Sequence, residues 1–150
     1  MSHTYAKLLY HVIFSTKDRA KLITRDMQPR LWAYMGGIVR TAEAEALSIG
    51  GIEDHTHMFL KVPPRLALSE VVRDIKAYSS KWVSKEFGMR GKFAWQTGFA
   101  AFSVSQSKAA NVLEYIATQE AHHHGDDFKA ELLKLLKRHE VEYDERYLWD

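Results

Sequence analysis

The sequence predicts an α+β protein, a ferredoxin-like βαββαβ sandwich with an antiparallel sheet, followed by two further helices. Three observations predict it. Some segments are β-branched and aromatic with period-two alternation, the segments between them repeat apolar residues at helical spacing, and the order is strand, helix, strand, strand, helix, strand. No repeat or Gly/Ser-rich linker interrupts the chain, so residues 1–150 are expected to form one domain.

The first strand and the first helix are indicated by their apolar patterns. Residues 5–15 alternate as a strand whose apolar face is Leu8, Tyr10, Val12 and Phe14. The polar, basic residues that follow are typical of a loop. Pro29 suits the first turn of the first helix, and the apolar stripe of that helix is Leu31, Met35, Ile38 and Ala42.

Two strands and a long helix follow. A short second strand, residues 46–49, precedes Gly50-Gly51, and residues 55–62 alternate as a third strand. One face of that strand carries Thr56, Met58, Leu60 and Val62, and the other carries His55, His57, Phe59 and Lys61. Ser69 is expected to cap the second helix and Gly88 to end it. The predicted stripe of this helix is Val71, Ile75, Tyr78 and Trp82.

The last third of the chain predicts one more strand and two helices. Residues 93–104 fit either a hairpin or one bent final strand. Ser105 or Ser107 is expected to cap a third helix that reaches His124, with Gly125 as its stop signal. A fourth, amphipathic helix is expected to begin at Asp126-Asp127, with an apolar stripe of Phe128, Leu132, Leu135 and Leu136.

Composition excludes several classes of protein. Without cysteine there is no disulfide framework, no thiolate nucleophile and no zinc–thiolate site. No apolar run is long enough to span a membrane and the N-terminus lacks a signal-peptide layout, so we expect a cytoplasmic protein without a membrane partner. Residues 1–100 carry 15 Lys and Arg against 9 Asp and Glu, and this basic part could attract a nucleic acid.

Two histidines on one strand form the first candidate site. His55 and His57 are two positions apart, so both imidazoles project from the same face. Neutral imidazoles placed side by side can chelate a divalent cation. A half-exposed polar strand face shows the same pattern, and the histidine pair alone leaves both interpretations open.

A tyrosine and a glutamine form the second candidate site. Tyr115 and Gln119 are four positions apart and therefore share one face of the third helix. A Gln carbonyl is a hard oxygen ligand suited to Mg²⁺ or Mn²⁺, and a Tyr hydroxyl can act as a nucleophile. A tyrosine at helical spacing is more often part of the core, so this pair alone is also undecided.

Together the two pairs suit cleavage of a phosphodiester. A phenol has a pKa of about 10 and needs help to attack at neutral pH. A cation held by two imidazoles and an amide oxygen can polarise the phosphate and steady the leaving 3′ oxygen. Attack by tyrosine conserves the bond energy in a phosphotyrosine that a 3′ hydroxyl can reverse, which favours strand transfer over hydrolysis.

At these residues the sequence resembles the HUH-type single-tyrosine transposases of the insertion-sequence-200-like and REP-associated group. The resembling stretches follow the family's order and are residues 10–19, 51–62, 95–105 and 113–123. The family's His-hydrophobe-His motif stands here as His55-Thr56-His57. The resemblance implies that Tyr115 forms a 5′-phosphotyrosine link and that His55, His57 and Gln119 hold Mg²⁺ or Mn²⁺.

The resemblance also implies a substrate and a working unit. The family nicks and rejoins single-stranded DNA beside short hairpins, without a nucleotide cofactor. It works as a homodimer in which the tyrosine helix of one subunit can complete the partner's site. The sequence leaves open whether the enzyme mobilises its own element or is domesticated to process repeat hairpins.

Residues outside the two pairs carry weaker expectations. The expected phosphate contacts to DNA are Lys17, Arg19, Lys21, Lys81, Lys85, Arg90 and Lys92. The tract His122–His124 is expected to be a solvated helix end. Two other functions stay open: a non-enzymatic module that binds single-stranded nucleic acid on its sheet, and a hydrolytic metallonuclease in which Tyr115 is structural.

Overall fold

A computed structural model describes residues 3–119 and 127–150 and contains one four-stranded antiparallel sheet with the strand order β2-β3-β1-β4. The elements in chain order are β1 Leu9–Ser15, α1 Gln28–Thr41, β2 Glu45–Gly51, β3 His55–Lys61, α2 Leu68–Glu86, β4 Ala100–Val104, α3 Ala109–Ala117 and α4 Phe128–Arg138. This order and pairing confirm the expected ferredoxin-like α+β architecture.

One face of the sheet carries the main core. Period-two alternation directs Val12 and Phe14 of β1 and Met58 and Leu60 of β3 to this face, where all four are fully buried. The helices α1 and α2 cover it and contribute Leu31, Met35, Val39, Val71, Val72, Ile75 and Val83. Burial of this apolar surface is the main stabilising contribution to the fold.

The opposite face of the sheet is covered by α3 and α4 in two smaller clusters. The first joins Leu9, Phe59 and Ile116. The second joins Ile13 and Phe102 of the sheet to the apolar stripe of α4, which is Phe128, Leu132, Leu135 and Leu136 as the sequence predicts. The odd-numbered positions of β3 therefore lie beneath two helices.

The start of α2 differs from the sequence expectation. Its N-cap position is Ala67, without a capping side chain, so Ser69 lies inside the helix. Val71 and Ile75 are buried as predicted, but the buried stripe continues through Ser79 and Val83, whereas Tyr78 is 56% exposed. The reason is that the Trp95 indole donates to the buried Ser79 hydroxyl at 2.9 Å, a long-range contact that satisfies a polar residue on the inner face. Gly88 follows the helix end with a φ of 63°, as expected.

Within the region 93–104 only Ala100–Val104 is a regular strand, and the residues before it do not form a hairpin with it. Trp95 pairs with Thr16, and β4 pairs with β1, so both parts run along the same edge of the sheet. At the bend between them, the Lys76 ammonium donates to the carbonyls of Gln96 at 2.9 Å and Thr97 at 3.2 Å. These hydrogen bonds connect α2 to the bend.

The ends of α3 and α4 confirm some capping expectations and correct others. Neither Ser105 nor Ser107 caps α3, since their hydroxyls bond each other at 2.8 Å and a short 3₁₀ turn precedes the helix. The predicted helix end at His124 and the stop at Gly125 lie outside the described residues. The helix α4 begins after Asp127, close to its expected start, and the Asp127 side chain caps it by accepting from the Ala130 amide at 2.9 Å.

Across residues 3–119 and 127–150, no helix is both long enough and apolar enough to cross a membrane.

Candidate active site

The two histidines of β3 lie side by side in the interior of the protein. His55 and His57 are both fully buried on the sheet face that α3 and α4 cover. In the neighbouring strand Gly50 lets α3 approach closely, because a Cβ there would lie only 3.0 Å from the Ile116 side chain and carbonyl. The alternation of β3 thus directs both imidazoles toward the tyrosine helix.

The Nδ1 atom of each imidazole has its own hydrogen-bond partner. His55 Nδ1 lies 2.7 Å from an Asp54 carboxylate oxygen, and His57 Nδ1 lies 2.8 Å from Nε2 of the buried His11. Such contacts set the ring orientation and let Nδ1 carry the proton. They leave the Nε2 atoms of His55 and His57 facing one common region.

A glutamate of α4 occupies that region. The Oε1 atom of Glu131 is 3.0 Å from His57 Nε2 and 3.3 Å from His55 Nε2, and the residue is 5% exposed. Glu131 is not among the site residues expected from the sequence. The sequence feature that could have indicated this residue is a carboxylate within the apolar stripe of the last helix. It lies three positions after Phe128 and four before Leu135.

The Tyr-x-x-x-Gln pair reaches the same cluster. Gln119 is 2% exposed, and its Oε1 lies 3.2 Å from His55 Nε2 while its amide donates to the Tyr115 carbonyl at 3.1 Å. The Tyr115 hydroxyl donates to the second carboxylate oxygen of Glu131. The structure therefore brings Tyr115, Gln119 and both histidines together within one chain.

Burial and hydrogen bonds set the charges in this cluster. Burial lowers the pKa of His55, but hydrogen bonds to Asp54 and Glu131 outweigh it and raise that pKa to about 9. Burial raises the pKa of Glu131, but hydrogen bonds from His55 and His57 bring it far below its usual range. At neutral pH the cluster without a metal thus contains an imidazolium facing a carboxylate.

The two groups next to this ion pair are neutral. Burial, reinforced by the neighbouring His57, lowers the pKa of His11 to about 3. Burial and the hydrogen bond to Glu131 raise the pKa of the Tyr115 hydroxyl well above its usual range. Without a metal, Tyr115 is therefore held as a phenol and not as a phenolate.

The donor set fits a divalent cation. Ligand atoms of His55, His57 and Glu131 all lie within 4.8 Å of one another. The Gln119 carbonyl oxygen adds a further hard donor beside His55. Imidazole nitrogens combined with carboxylate and amide oxygens suit first-row divalent cations, and the oriented Nδ1 atoms supply the supporting hydrogen bonds that such sites need.

The seven basic residues singled out from the sequence lie in two places. Lys17, Arg19 and Lys21 follow the end of β1, and the Arg19 guanidinium lies over the Trp149 ring at 5.3 Å. Lys81, Lys85, Arg90 and Lys92 are exposed on α2 or just beyond it. Since α2 covers the other sheet face, these last four lie away from the histidine pair. His122–His124 lie outside the described residues.

Comparison with known proteins gives consistent results. Residues 4–119 match the family described as IS200-like transposases. The transposase for insertion sequence element IS200 of Salmonella typhimurium is 23% identical over 124 residues, covering 79% of this chain and 81% of that protein. The ISDra2 transposase TnpA of Deinococcus radiodurans is 22% identical over 118 residues, covering 75% and 84%.

Two solved structures share the fold. One is a putative transposase from Deinococcus radiodurans with a TM-score of 0.65 and 22% identity, covering 79% of this chain and 96% of that chain. The other is a REP-associated tyrosine transposase bound to a REP hairpin, with a TM-score of 0.60 and 18% identity, covering 82% and 73%. At these identities the likeness concerns the fold.

Proposed function

The chain belongs to the IS200-like transposase family, and from that membership we propose that it nicks and rejoins single-stranded DNA through a covalent bond to Tyr115, with the help of a divalent metal. One observation carries the proposal. A tyrosine hydroxyl, two oriented imidazoles and two oxygen donors meet in one cluster. They come from β3, α3, α4 and Gln119, which lies two residues beyond the end of α3. A purely structural tyrosine would not need oriented metal-ligand atoms beside its hydroxyl.

We propose that His55, His57, Gln119 and Glu131 hold the cation, with Mg²⁺ and Mn²⁺ as the candidates. The bound metal would polarise the scissile phosphate and stabilise the leaving 3′ oxygen. Asp54 and His11 keep the two imidazoles oriented through their Nδ1 atoms. The enclosing helices α3 and α4 bury these residues, which strengthens every electrostatic contact among them.

In the proposed reaction the Tyr115 oxygen forms a bond to phosphorus and the bond to the 3′ oxygen breaks. The phenol proton is lost as this bond forms, and until then the hydroxyl is held in place by its hydrogen bond to Glu131. The leaving 3′ oxygen takes up a proton and becomes a 3′ hydroxyl. Rejoining reverses these steps, so the bond energy is conserved in the 5′-phosphotyrosine.

The proposed substrate is a single strand beside a hairpin. A structural relative of this chain is bound to a REP hairpin, which supports a hairpin substrate here. Basic residues supply the phosphate contacts in this proposal, and the candidates are Lys17, Arg19, Lys21, Lys81, Lys85, Arg90 and Lys92. The proposed working unit is a homodimer that uses no nucleotide cofactor.

Replacement of Tyr115 by Phe tests the proposal. Single-stranded DNA carrying hairpins from the flanks of the gene is incubated with the protein and Mg²⁺ or Mn²⁺, with chelator as a control. We expect cleavage and a covalent protein–DNA adduct with wild type, and neither with Tyr115→Phe, while both proteins bind the DNA. Cleavage that survives in Tyr115→Phe would show a hydrolytic metallonuclease, and no cleavage by wild type with any metal would show a binding module.

A further inference from the structure

A groove opens beside Tyr115, and the four proposed metal ligands are not among the residues that line it. Its volume is ≈ 690 Å³, within the range of about 300–1,000 Å³ that is usual for small-ligand pockets. One wall is α3 and the facing wall is the C-terminal turn of α4, while the end of β4 and the His11 side chain also line it. The groove therefore adjoins the proposed nucleophile and the imidazole of His11.

The side chains that line the groove are basic or neutral. Lys108 lies at the start of α3 and Arg138 at the end of α4, so cationic groups come from both walls. Ser105 and Asn111 add hydrogen-bonding groups. Among the described residues that line the groove there is no carboxylate. This composition suits an anion with several acceptor oxygens.

The groove also offers a flat surface for a base. The exposed His139 ring is stacked on the buried Phe102 ring, with centroids 4.2 Å apart and planes at 24°. Phe102 holds that ring in one orientation and leaves His139 on the lining of the groove. Aromatic rings presented in this way stack on unpaired bases without regard to sequence.

We propose that this groove binds the nucleotide next to the scissile phosphate, with Lys108 and Arg138 holding its phosphodiester oxygens. The inference rests on the proposed function, and Lys108 and Arg138 are not among the seven basic residues expected from the sequence. Binding in this groove would bring a DNA strand to the face of the sheet that α3 and α4 cover. That face lies away from the basic residues of α2. The ligand class is a single-stranded phosphodiester.

Salt dependence of binding tests this groove directly. Labelled oligothymidylate is titrated in the Tyr115→Phe background, which excludes covalent trapping, and affinity is measured by fluorescence anisotropy at several salt concentrations. Each phosphate contact to a single strand contributes about 0.7 to the slope of log affinity against log salt. We expect Lys108→Ala and Arg138→Ala each to reduce the slope by about 0.7, and the double variant by about 1.4.

Lys137→Ala is the matched control, since Lys137 is exposed in the same helical turn as Arg138 but does not line the groove. It should leave the slope unchanged. An unchanged slope in the double variant, or an equal loss in Lys137→Ala, overturns the inference. Lys108→Gln and Arg138→Gln serve if an alanine variant is misfolded by circular dichroism. Binding is measured without cleavage, so this result is independent of whether Tyr115 forms an adduct.

Discussion

Glu131 connects the proposed nucleophile to the proposed metal ligands. One carboxylate oxygen contacts both histidines and the other accepts from the Tyr115 hydroxyl. A buried carboxylate without compensation is costly, so its position on the inner face of α4 requires these partners. We infer that the folded protein already holds a negatively charged ligand in the place where the cation is proposed to bind.

Glu131→Gln should therefore weaken metal binding. The amide keeps the shape and one oxygen donor but removes the charge, and we expect the affinity for Mn²⁺ to fall at least about tenfold, which corresponds to about 1.4 kcal/mol. Isothermal titration calorimetry measures this without DNA. Glu114→Gln, an exposed residue of α3, is the control and should bind as wild type does. Equal affinities of wild type and Glu131→Gln would remove Glu131 from the ligand set.

His11 should make the metal-free protein sensitive to acid. Its pKa of about 3 in the folded state lies below the ordinary value of 6.5 in the unfolded chain. The unfolded state therefore takes up the proton first, and stability falls as the pH drops from about 6.5 toward 3. Between pH 7 and pH 5, proton uptake by His11 in the unfolded state should lower the free energy of unfolding by on the order of 2 kcal/mol.

The comparison with His11→Asn isolates this contribution. Urea unfolding in the presence of chelator is measured at pH 7 and pH 5 for both proteins. Between pH 7 and pH 5 the free energy of unfolding should fall further for wild type than for the variant. The difference between the two should be on the order of 2 kcal/mol. Equal losses would mean that His11 does not stay neutral in the folded protein.

At the scale of elements, the connection between β2 and β3 positions the first histidine. A Cβ added to Gly51 would lie 2.2 Å from the His55 carbonyl oxygen and 2.9 Å from the Thr56 Cα. No side chain fits there without movement of the start of β3. Glycine is required at position 51 because the backbone that carries His55 passes close to it.

Gly51→Ala should lower both stability and metal affinity. We expect a loss of about 1–3 kcal/mol in the free energy of unfolding, because the start of β3 must shift to relieve the overlap. Gly37→Ala is the control, because its nearest neighbour would be 3.7 Å away and alanine favours the helix α1. Thermal unfolding and Mn²⁺ titration check both variants, and a Gly51→Ala protein as stable as wild type would contradict the account.

Local patterns predicted most of the elements, and contacts between distant segments account for the errors. Alternation correctly divided β3 into a core face and a histidine face, because period two is a property of the strand itself. The buried position of Ser79 could not be predicted, since it depends on the Trp95 indole. Glu131 is separated by 74 positions from His57, so no spacing rule relates the two.

At the scale of the whole molecule, the structure places Tyr115 against the histidines of its own chain. The rings of Tyr115 and His57 have centroids 5.5 Å apart. The family resemblance allowed a partner's tyrosine to complete the site, and the sequence offered no means of choosing. We infer from this contact that each chain of the proposed homodimer can complete an active site with its own Tyr115.

Mixing inactive subunits tests this arrangement. Tyr115→Phe and His57→Ala chains are co-expressed with different tags, and the protein that carries both tags is isolated. Each chain then lacks one half of the proposed machinery. We expect no cleavage by the mixed protein. Recovery of a substantial part of wild-type cleavage would show that Tyr115 serves the partner's histidines.

The proposed reaction requires Tyr115 to become covalently attached to the cleaved DNA strand. The most direct measurement is mass spectrometry of the adduct after protease and nuclease digestion. We expect a nucleotide 5′-phosphate on the peptide that contains Tyr115, formed only when Mg²⁺ or Mn²⁺ is present. Cleaved DNA with both ends free of protein, or an adduct on another residue, would contradict it.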